Sequence, residues 1–324
     1  MPALASTVIE YGVSGQPGAD GTNGDPGSDG ANGTDGSPVT AEAITVGTDA
    51  YNEAQAFGGY GGSGGRGGNG VDGPDAGFGA QGGAGGDGGI APSATATAGT
   101  TVSQGTASAR ARAFGGRGGD GGDGGYSLTE QGFIAPPGPT GTPGPSGDAF
   151  ATAFSTGVTR ADASAEAFGG DGGLFGASTG NRAPGGNASA VVSANASAPD
   201  GDAQATVSAT GTGASTVSGS VSADRSAYLS ATVTGATVTT GGLFAESRGG
   251  VSASAVLTAT GKAVGGNGPS AFLLNQVDGF STGSLYLGQA ARGGDGGQLG
   301  EGVAPNRGGS AGSGTQAVDQ PVPH

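Results

Sequence analysis

Residues 107–125 read ASARARAFGGRGGDGGDGG, and this stretch joins two repeating patterns. Up to Phe114, Ala occupies every second position, which is the alternation of a half-buried β-strand. From Gly115 onward two of every three residues are Gly, and three residues per turn is the period of an extended polyproline-II chain. The stretch therefore predicts a strand that leads directly into a Gly-rich segment of three-residue period.

The junction between the two patterns recurs along the chain. The motif A-x-A-F-G-G occupies residues 54–59, 111–116 and 165–170, and looser relatives begin at residues 261 and 289. A recurring junction at near-constant spacing indicates an internal repeat in which each unit pairs strands with a Gly-rich segment. We expect the Phe of each junction to plug the end of a thin Ala-lined layer. We expect Arg112, Glu166 and Lys262, at the x position, to face solvent.

Glycine occurs at two densities. It is every third residue from Gly12 to Gly36, and one Gly per turn suits a crowded helix axis, so residues 12–38 predict a collagen-like segment. In the denser tracts, two glycines per turn leave two faces bare, so that polyglycine-II helices can pack side by side through backbone hydrogen bonds. The third face then displays side chains outward. The dense tracts occupy residues 58–70, 82–89, 115–125, 169–173, 265–268 and 293–297.

Ala alternates with Ser, Thr and Val over most of residues 187–264. Turn signals at residues 199–201, 211–213 and 241–242 divide this region into strands of roughly 6 to 10 residues. Ala along one face of a strand means that the partner layer approaches closely. A meander, a sandwich and a solenoid all satisfy this pattern.

These patterns predict an all-β fold with polyglycine-II helices and almost no α-helix, in which Ala-rich strands form a solenoid or a sandwich. Five parts are expected along the chain. They are an N-terminal anchoring segment (1–11), a collagen-like Gly-X-Y segment (12–38), Gly-Gly-X and strand repeat units (39–186), an Ala/Ser/Thr/Val-rich β region (187–264) and a C-terminal Gly-rich cap and tail (265–324).

The composition excludes several kinds of chemistry. The chain has no Cys, and its single His is residue 324, so thiol catalysis and imidazole-based triads or metal centres are excluded and we expect no enzyme and no catalytic residue. A formal charge of −15 repels a phosphate backbone, so we expect no nucleic acid partner. No apolar stretch approaches 18 residues, so we expect no membrane insertion.

Aspartates inside the Gly tracts resemble part of a Ca²⁺-binding nonapeptide. Asp87, Asp120 and Asp123 are the candidate metal ligands on this pattern. Gly89 and Gly125 occupy the position where that repeat carries an aliphatic residue, which leaves the roll without a core. The alternative is that these aspartates are solvated outward residues of Gly-rich helices, with no cofactor bound.

The chain resembles several glycine-rich families. The register of Gly12–Gly36 after STVIEYG resembles the start of collagen-like phage tail and virion fibre proteins. The tracts GGYGGSGGRGG and GGRGGDGGDGG look like the polyglycine-II sandwich of phage adhesin tips and of the springtail antifreeze protein. They are also similar to glycine-rich mycobacterial surface repeats. The resemblance carries over no individual functional residue.

Residues and resemblance together predict a non-enzymatic structural or adhesive fibre protein that self-associates, as a trimer or a filament, and binds a cell-surface receptor. MPALASTVIEYG lacks a signal-peptide pattern, so a phage tail or virion fibre is the leading hypothesis, located in the virion or at the cell surface. A secreted bacterial surface or matrix protein, ordered by Ca²⁺, is the alternative. Ice binding is a third hypothesis, because Thr alternates with Ala or Val at residues 95–97, 232–234 and 237–239.

Overall fold

The computed structural model describes residues 4–47, 49–71, 81–128, 137–175, 182–249, 251–261, 276–293 and 318–319. In this part of the chain every regular element is a strand, and the strands form two large parallel sheets and one two-stranded sheet. These residues contain no helix that could span a membrane. The all-β prediction is confirmed.

Sheet 1 has nine strands and sheet 2 has seven within the described residues. In spatial order, sheet 1 consists of β1 (Leu4–Tyr11), β3 (Asp49–Phe57), β6 (Thr106–Phe114), β9 (Arg160–Phe168), β11 (Asp202–Thr210), β13 (Ser226–Gly235), β15 (Ser252–Gly261), β17 (Ser284–Arg292) and β18 (Val318–Asp319). Sheet 2 consists of β16 (Val277–Ser281), β14 (Thr237–Ser247), β12 (Ala214–Ala223), β10 (Ala188–Ala196), β8 (Ala149–Gly157), β5 (Ala94–Thr101) and β2 (Val39–Val46). The small sheet pairs β4 (Gly70–Val71) with β7 (Ser127–Leu128).

Successive long strands alternate between the two sheets, so that each turn of the chain adds one strand to each sheet. Neighbouring strands within a sheet are parallel, except that the two-residue β18 pairs antiparallel with β17. Of the three arrangements that the Ala alternation allowed, this is a solenoid of two facing sheets.

The core between the sheets is lined mainly by Ala. One row across sheet 1 runs from Ala111 through Ala165, Val207 and Ala231 to Leu257, and all five side chains are buried. Among the buried apolar side chains, those larger than Ala come from β10 onward, apart from Val39 in β2; in the first coils the polar Asn52 and Thr100 are also fully buried. The interior is therefore thinnest in the first coils, where Ala meets Ala.

Gly-rich arms extend from the first four coils. An outgoing arm continues from each of β1, β3, β6 and β9, and a returning arm leads into each of β2, β5, β8 and β10. The outgoing arms are residues 12–24, 58–70, 115–126 and 169–174; the returning arms are residues 27–37, 81–92, 137–148 and 182–187. From β11 onward the described connections between sheets are short, as at residues 211–213.

Hydrogen bonds between the arms repeat every third residue. In the outgoing layer, Gly15 N–H donates to the carbonyl oxygen of Tyr60 (2.7 Å) and Gly61 N–H donates to that of Arg117 (3.0 Å). The two layers are also joined, since Gly86 N–H donates to the carbonyl oxygen of Gly65 (2.8 Å). The arms thus form two layers that continue the two sheets, and they satisfy the backbone of a Gly-rich chain without an aliphatic core.

Residues 12–38 differ from the single collagen-like rod that their register suggests. The chain reverses at the cis Asp25–Pro26 bond, and the first returning arm runs antiparallel to the first outgoing arm, with Ser37 N–H donating to Val13 O (2.8 Å). The physical reason is that neighbouring arms of the same chain provide the hydrogen bonds that other chains provide in a triple helix.

The turn predicted at Gly241 and Gly242 is absent, because both residues lie within a strand. They lie inside β14, where the register with β12 shifts between Val217 and Gly219. Gly242 has a φ of +90°, a backbone conformation that favours glycine, which accounts for glycine at this bulge.

Candidate functional site

Each position of a Gly-Gly-X triplet has a separate role in the arms. The first Gly donates its N–H to the next arm of the layer. The second faces the preceding arm so closely that a Cβ on Gly62 would overlap the carbonyl oxygen of Gln16, and a Cβ on Gly119 would overlap that of Gly62. The third residue points away from both layers. Interior arms therefore need two glycines per turn.

The first outgoing arm carries side chains where the later outgoing arms carry the second glycine. These residues are Val13, Gln16, Ala19 and Thr22. Among the described residues no arm packs against this side, so a Cβ meets no backbone there. In the outgoing layer, the two densities of glycine therefore distinguish the terminal arm, with one Gly per turn, from the later arms with two.

The third residues of the outgoing arms form one surface, which we call the display face. It comprises Tyr11, Ser14, Pro17, Asp20 and Asn23; Phe57, Tyr60, Ser63, Arg66 and Asn69; Phe114, Arg117, Asp120, Asp123 and Tyr126; and Phe168, Asp171 and Leu174. Several of its side chains accept the backbone N–H of the displayed residue on the next arm. Asp20 accepts from Arg66 (2.8 Å), and Asp120 accepts from Leu174 (2.7 Å). The displayed residues are therefore held in register.

An aromatic ladder borders the display face where the arms leave sheet 1. Tyr11, Phe57, Phe114 and Phe168 stack with successive ring centroids 4.9, 4.7 and 5.0 Å apart. The expectation that these Phe residues plug the Ala-lined layer is wrong. Because side chains alternate along a strand, the buried Ala before each Phe faces the core and the ring faces outward.

A groove of about 780 Å³ lies between the ladder and the display face. Its floor is Gly backbone, and its polar rim includes Tyr60, Arg117 and Asp171. Arg117 pairs with Asp120 at 2.6 Å, and farther out the Arg66 guanidinium lies 5.0 Å from the ring centre of Tyr126. Aromatic edges, hydroxyls, guanidinium groups and carboxylates on a rigid backbone floor suit contact with a polar surface or an extended polar ligand.

The structure separates the three candidate metal ligands. Asp87 lies on a returning arm, whereas Asp120 and Asp123 lie on an outgoing arm. Asp87 accepts hydrogen bonds from the backbone N–H and the hydroxyl of Thr142. In the part of the chain that is described, no three acidic or His side chains converge as a metal site would require. Asp87 and Asp120 instead bind backbone N–H groups of adjacent arms.

The sequence patterns considered above do not predict that short polar side chains bond the backbone of the next arm. The sequence signal for this role is the recurrence of Asp, Asn or Ser at the third position of the triplets. The side chain at this position can accept the backbone N–H of the third residue on the next arm. Asn32, Asp35 and Asp148 act in this way in the returning layer, accepting from Asp87, Ile90 and Asn187.

The bonds from Thr142 lead to a prediction for acid. The hydroxyl and then the backbone N–H of Thr142 lower the pKa of Asp87 below its ordinary value. A lowered pKa in the folded state adds stability above the unfolded pKa, and this stability is lost as pH falls through the folded pKa. We expect Thr142→Val to raise the pKa of Asp87 towards its ordinary value and to reduce this acid-sensitive stability. Carboxyl ¹³C titration by NMR measures the pKa, and an unchanged value would contradict the prediction.

Charged residues cluster on the outer face of sheet 1. Arg112 and Glu166 point outward and pair with each other at 3.0 Å; Lys262 lies outside the described residues. Arg110 adds a second pair to Glu166 at 3.3 Å. Burial, and then a 2.8 Å hydrogen bond to Glu53, raise the pKa of Tyr51 to about 12.

The Thr-rich stretches do not share one surface. Thr95 and Thr97 point outward from sheet 2, as does Thr239, whereas Thr232 and Thr234 lie on the outer face of sheet 1. The predicted array of Thr therefore divides between opposite faces of the solenoid.

No protein-family model and no curated protein matches the chain. Among solved structures, the chain is similar to a springtail antifreeze protein from Granisotoma rainieri, described as a nine polyproline type II helical bundle whose crystal waters match the ice lattice. The identity is 27%, over 43% of this chain and 93% of that one, with a TM-score of 0.16. A TM-score this low establishes no common fold.

Proposed function

We propose that the chain is a non-enzymatic structural and adhesive protein that self-associates as a component of a fibre. The observation that carries this proposal is the hydrogen-bonded pair of Gly layers, which holds an array of outward side chains on a backbone with little conformational freedom. A surface whose side chains are already positioned loses little entropy on contact with a partner. The proposed setting is a phage tail or virion fibre.

We further propose that the arms are polyglycine-II helices and that the first pair of arms keeps a collagen-like register as two antiparallel helices. The three-residue repeat of the inter-arm hydrogen bonds supports this, as does the division of each triplet into donor, close-contact and outward positions. The arms and the two sheets then act as one stiff body, which suits a load-bearing part.

The adhesive part of the proposal assigns contact with a cell surface to the display face and its groove. Tyr60 is 61% exposed and stands at the rim beside Arg117, so both side chains can reach a partner while the Gly floor stays fixed. Tyr and Arg are the residue types most often found at the energetic centre of interfaces.

The test of adhesion is the binding of fluorescently labelled protein to intact cells of a bacterial panel and to a glycan microarray. We expect the double variant Tyr60→Ala with Arg117→Ala to lose at least tenfold in binding to whichever probe the wild type recognises, since two such contacts each contribute on the order of 1 kcal/mol or more. The matched control is Gln81→Ala with Ile90→Ala, which removes exposed side chains from the returning layer. No wild-type binding to either probe, or equal loss in the control, would contradict the proposal.

The setting is tested separately from the surface. The phage hypothesis expects tail or virion genes beside the coding sequence, and the alternative of a secreted bacterial surface protein expects an export system there. Circular dichroism with and without a chelator tests ordering by Ca²⁺, because a Ca²⁺-folded protein would lose its spectrum on chelation.

A further inference from the structure

The outer face of sheet 2 carries little charge over most of its width. Its four central strands, β5, β8, β10 and β12, contain no charged residue at all. In sheet 1, by contrast, Arg110 and Arg112 lie on β6 and Asp162 and Glu166 on β9, although β13 and β15 are also free of charged residues. A protein of charge −15 therefore has one broad sheet face that is nearly neutral.

Exposed apolar side chains interrupt the Ser and Thr of this face. Phe150, Val191 and Phe244 are 42%, 42% and 40% exposed. Beside the last two lies a groove of about 480 Å³, at the point where the bulge separates β12 from β14. Gly219 and Gly241 line this groove, so it is a depression in an otherwise flat surface. The face therefore combines a projecting ring with a recess.

A second surface that could take part in self-association is the free edge of the Gly layers, and it is blocked. A further arm could approach this edge only if glycine occupied the close-contact position, as Gly62 does beside Gln16. The first outgoing arm instead carries side chains at this position, on Val13, Gln16, Ala19 and Thr22. Residues 4–47 also carry six acidic residues and no Lys or Arg, so two copies meeting there would repel. The side chains and the negative charge of this edge therefore both disfavour extension of the Gly layers from one copy to the next.

We propose that two copies of this chain associate face to face through sheet 2, about a two-fold axis, with Phe150 of each copy inserted into the groove at Gly219 and Gly241 of the other. This rests on the self-association in the proposed function and assigns it a surface. A two-fold contact uses the same patch on both copies, so one projection and one recess per copy complete it. The neutral face is where two acidic molecules can meet with the least repulsion.

Light scattering coupled to size exclusion tests the interface on the full chain. We expect a dimer for the wild type and at least tenfold weaker dimerisation for Phe150→Glu and for Ser220→Glu, which adds a second carboxylate to the groove that Asp278 already lines. The matched controls, Tyr228→Glu and Ser230→Glu, introduce the same charge on the outer face of sheet 1, and Tyr228 is 43% exposed. Both controls should remain dimeric. Added salt should strengthen the dimer, because it screens the long-range repulsion between copies.

The outcomes separate the interface from the wider proposal. An oligomer that persists in Phe150→Glu, or that the sheet 1 controls disrupt equally, overturns the sheet 2 interface and leaves self-association standing. A wild type that is monomeric at every concentration and salt overturns both. The cell-binding test of the display face uses different residues and a different readout, so its result is independent of either outcome. Circular dichroism verifies that each variant is folded.

Discussion

Replacing Gly122 with Ala is expected to lower the free energy of unfolding by about 3 to 5 kcal/mol. A Cβ at this position would overlap the carbonyl oxygen of Gly65 on the neighbouring arm. The obstacle is backbone on both sides, so no side chain can move away to make room. Separating the arms would also strain the 2.8 Å bond from Gly122 N–H to Gly86 O, which joins the two layers. Urea unfolding followed by circular dichroism measures the effect.

The control for this prediction is Ala19→Val. Ala19 occupies the same row of the outgoing layer as Gly65 and Gly122, but it lies on the terminal arm, where its side chain is exposed. We expect a change of less than about 0.5 kcal/mol. If both substitutions destabilised the protein equally, close approach between arms would not be the reason for the dense Gly tracts.

Leucine at position 165 should be the second severe substitution. Ala165 is fully buried in the first part of the solenoid, where Ala side chains from both sheets meet. The extra carbon atoms have no cavity to occupy, so the sheets must separate, at an expected cost of about 3 kcal/mol. Because the fourth outgoing arm continues from β9, we also expect faster amide exchange at Gly170 and Gly173. Thermal unfolding and hydrogen exchange measure the two effects.

Ser164→Leu is the matched control, since it places the same side chain on the same strand but on the outer face. There the side chain meets solvent and neighbouring side chains, and we expect a change within about 0.5 kcal/mol. A similar loss of stability in both variants would mean that β propensity, rather than the thickness of the core, limits residue 165.

Local sequence patterns were sufficient to predict which segments form strands and which face of each strand is buried. The alternation in 107–114 predicted a strand with Ala inward, and β6 has this form. The outward position of Arg112 and Glu166 followed from the same period. What the alternation left open was the partner of each strand, because a buried Ala row fits any closely approaching layer, and pairing depends on contacts between residues some 50 positions apart.

The other features that the sequence patterns did not predict have related causes. The size of each Phe suggests a plug at the end of the Ala-lined layer, but the two-residue period of the strand puts the ring on the face opposite Ala56 and Ala113. The bonding role of Asp87 and Asp120 could not be predicted, because the backbone N–H groups that they bind belong to arms that are remote in sequence. The reversal at Asp25–Pro26 lies within an unbroken Gly register, which by itself suggests continuity.

The display face has a consequence for how this protein can change over generations. In the polyglycine-II form that we propose, third residues recur about 9 Å apart along an arm, at a rise of about 3.1 Å per residue, and the rings of neighbouring arms stack 4.7 to 5.0 Å apart. Where a displayed side chain bonds no adjacent arm, as at Ser63, a mutation alters one point of this grid and disturbs no backbone contact. Selection can therefore change the display face one residue at a time while the backbone beneath it stays the same.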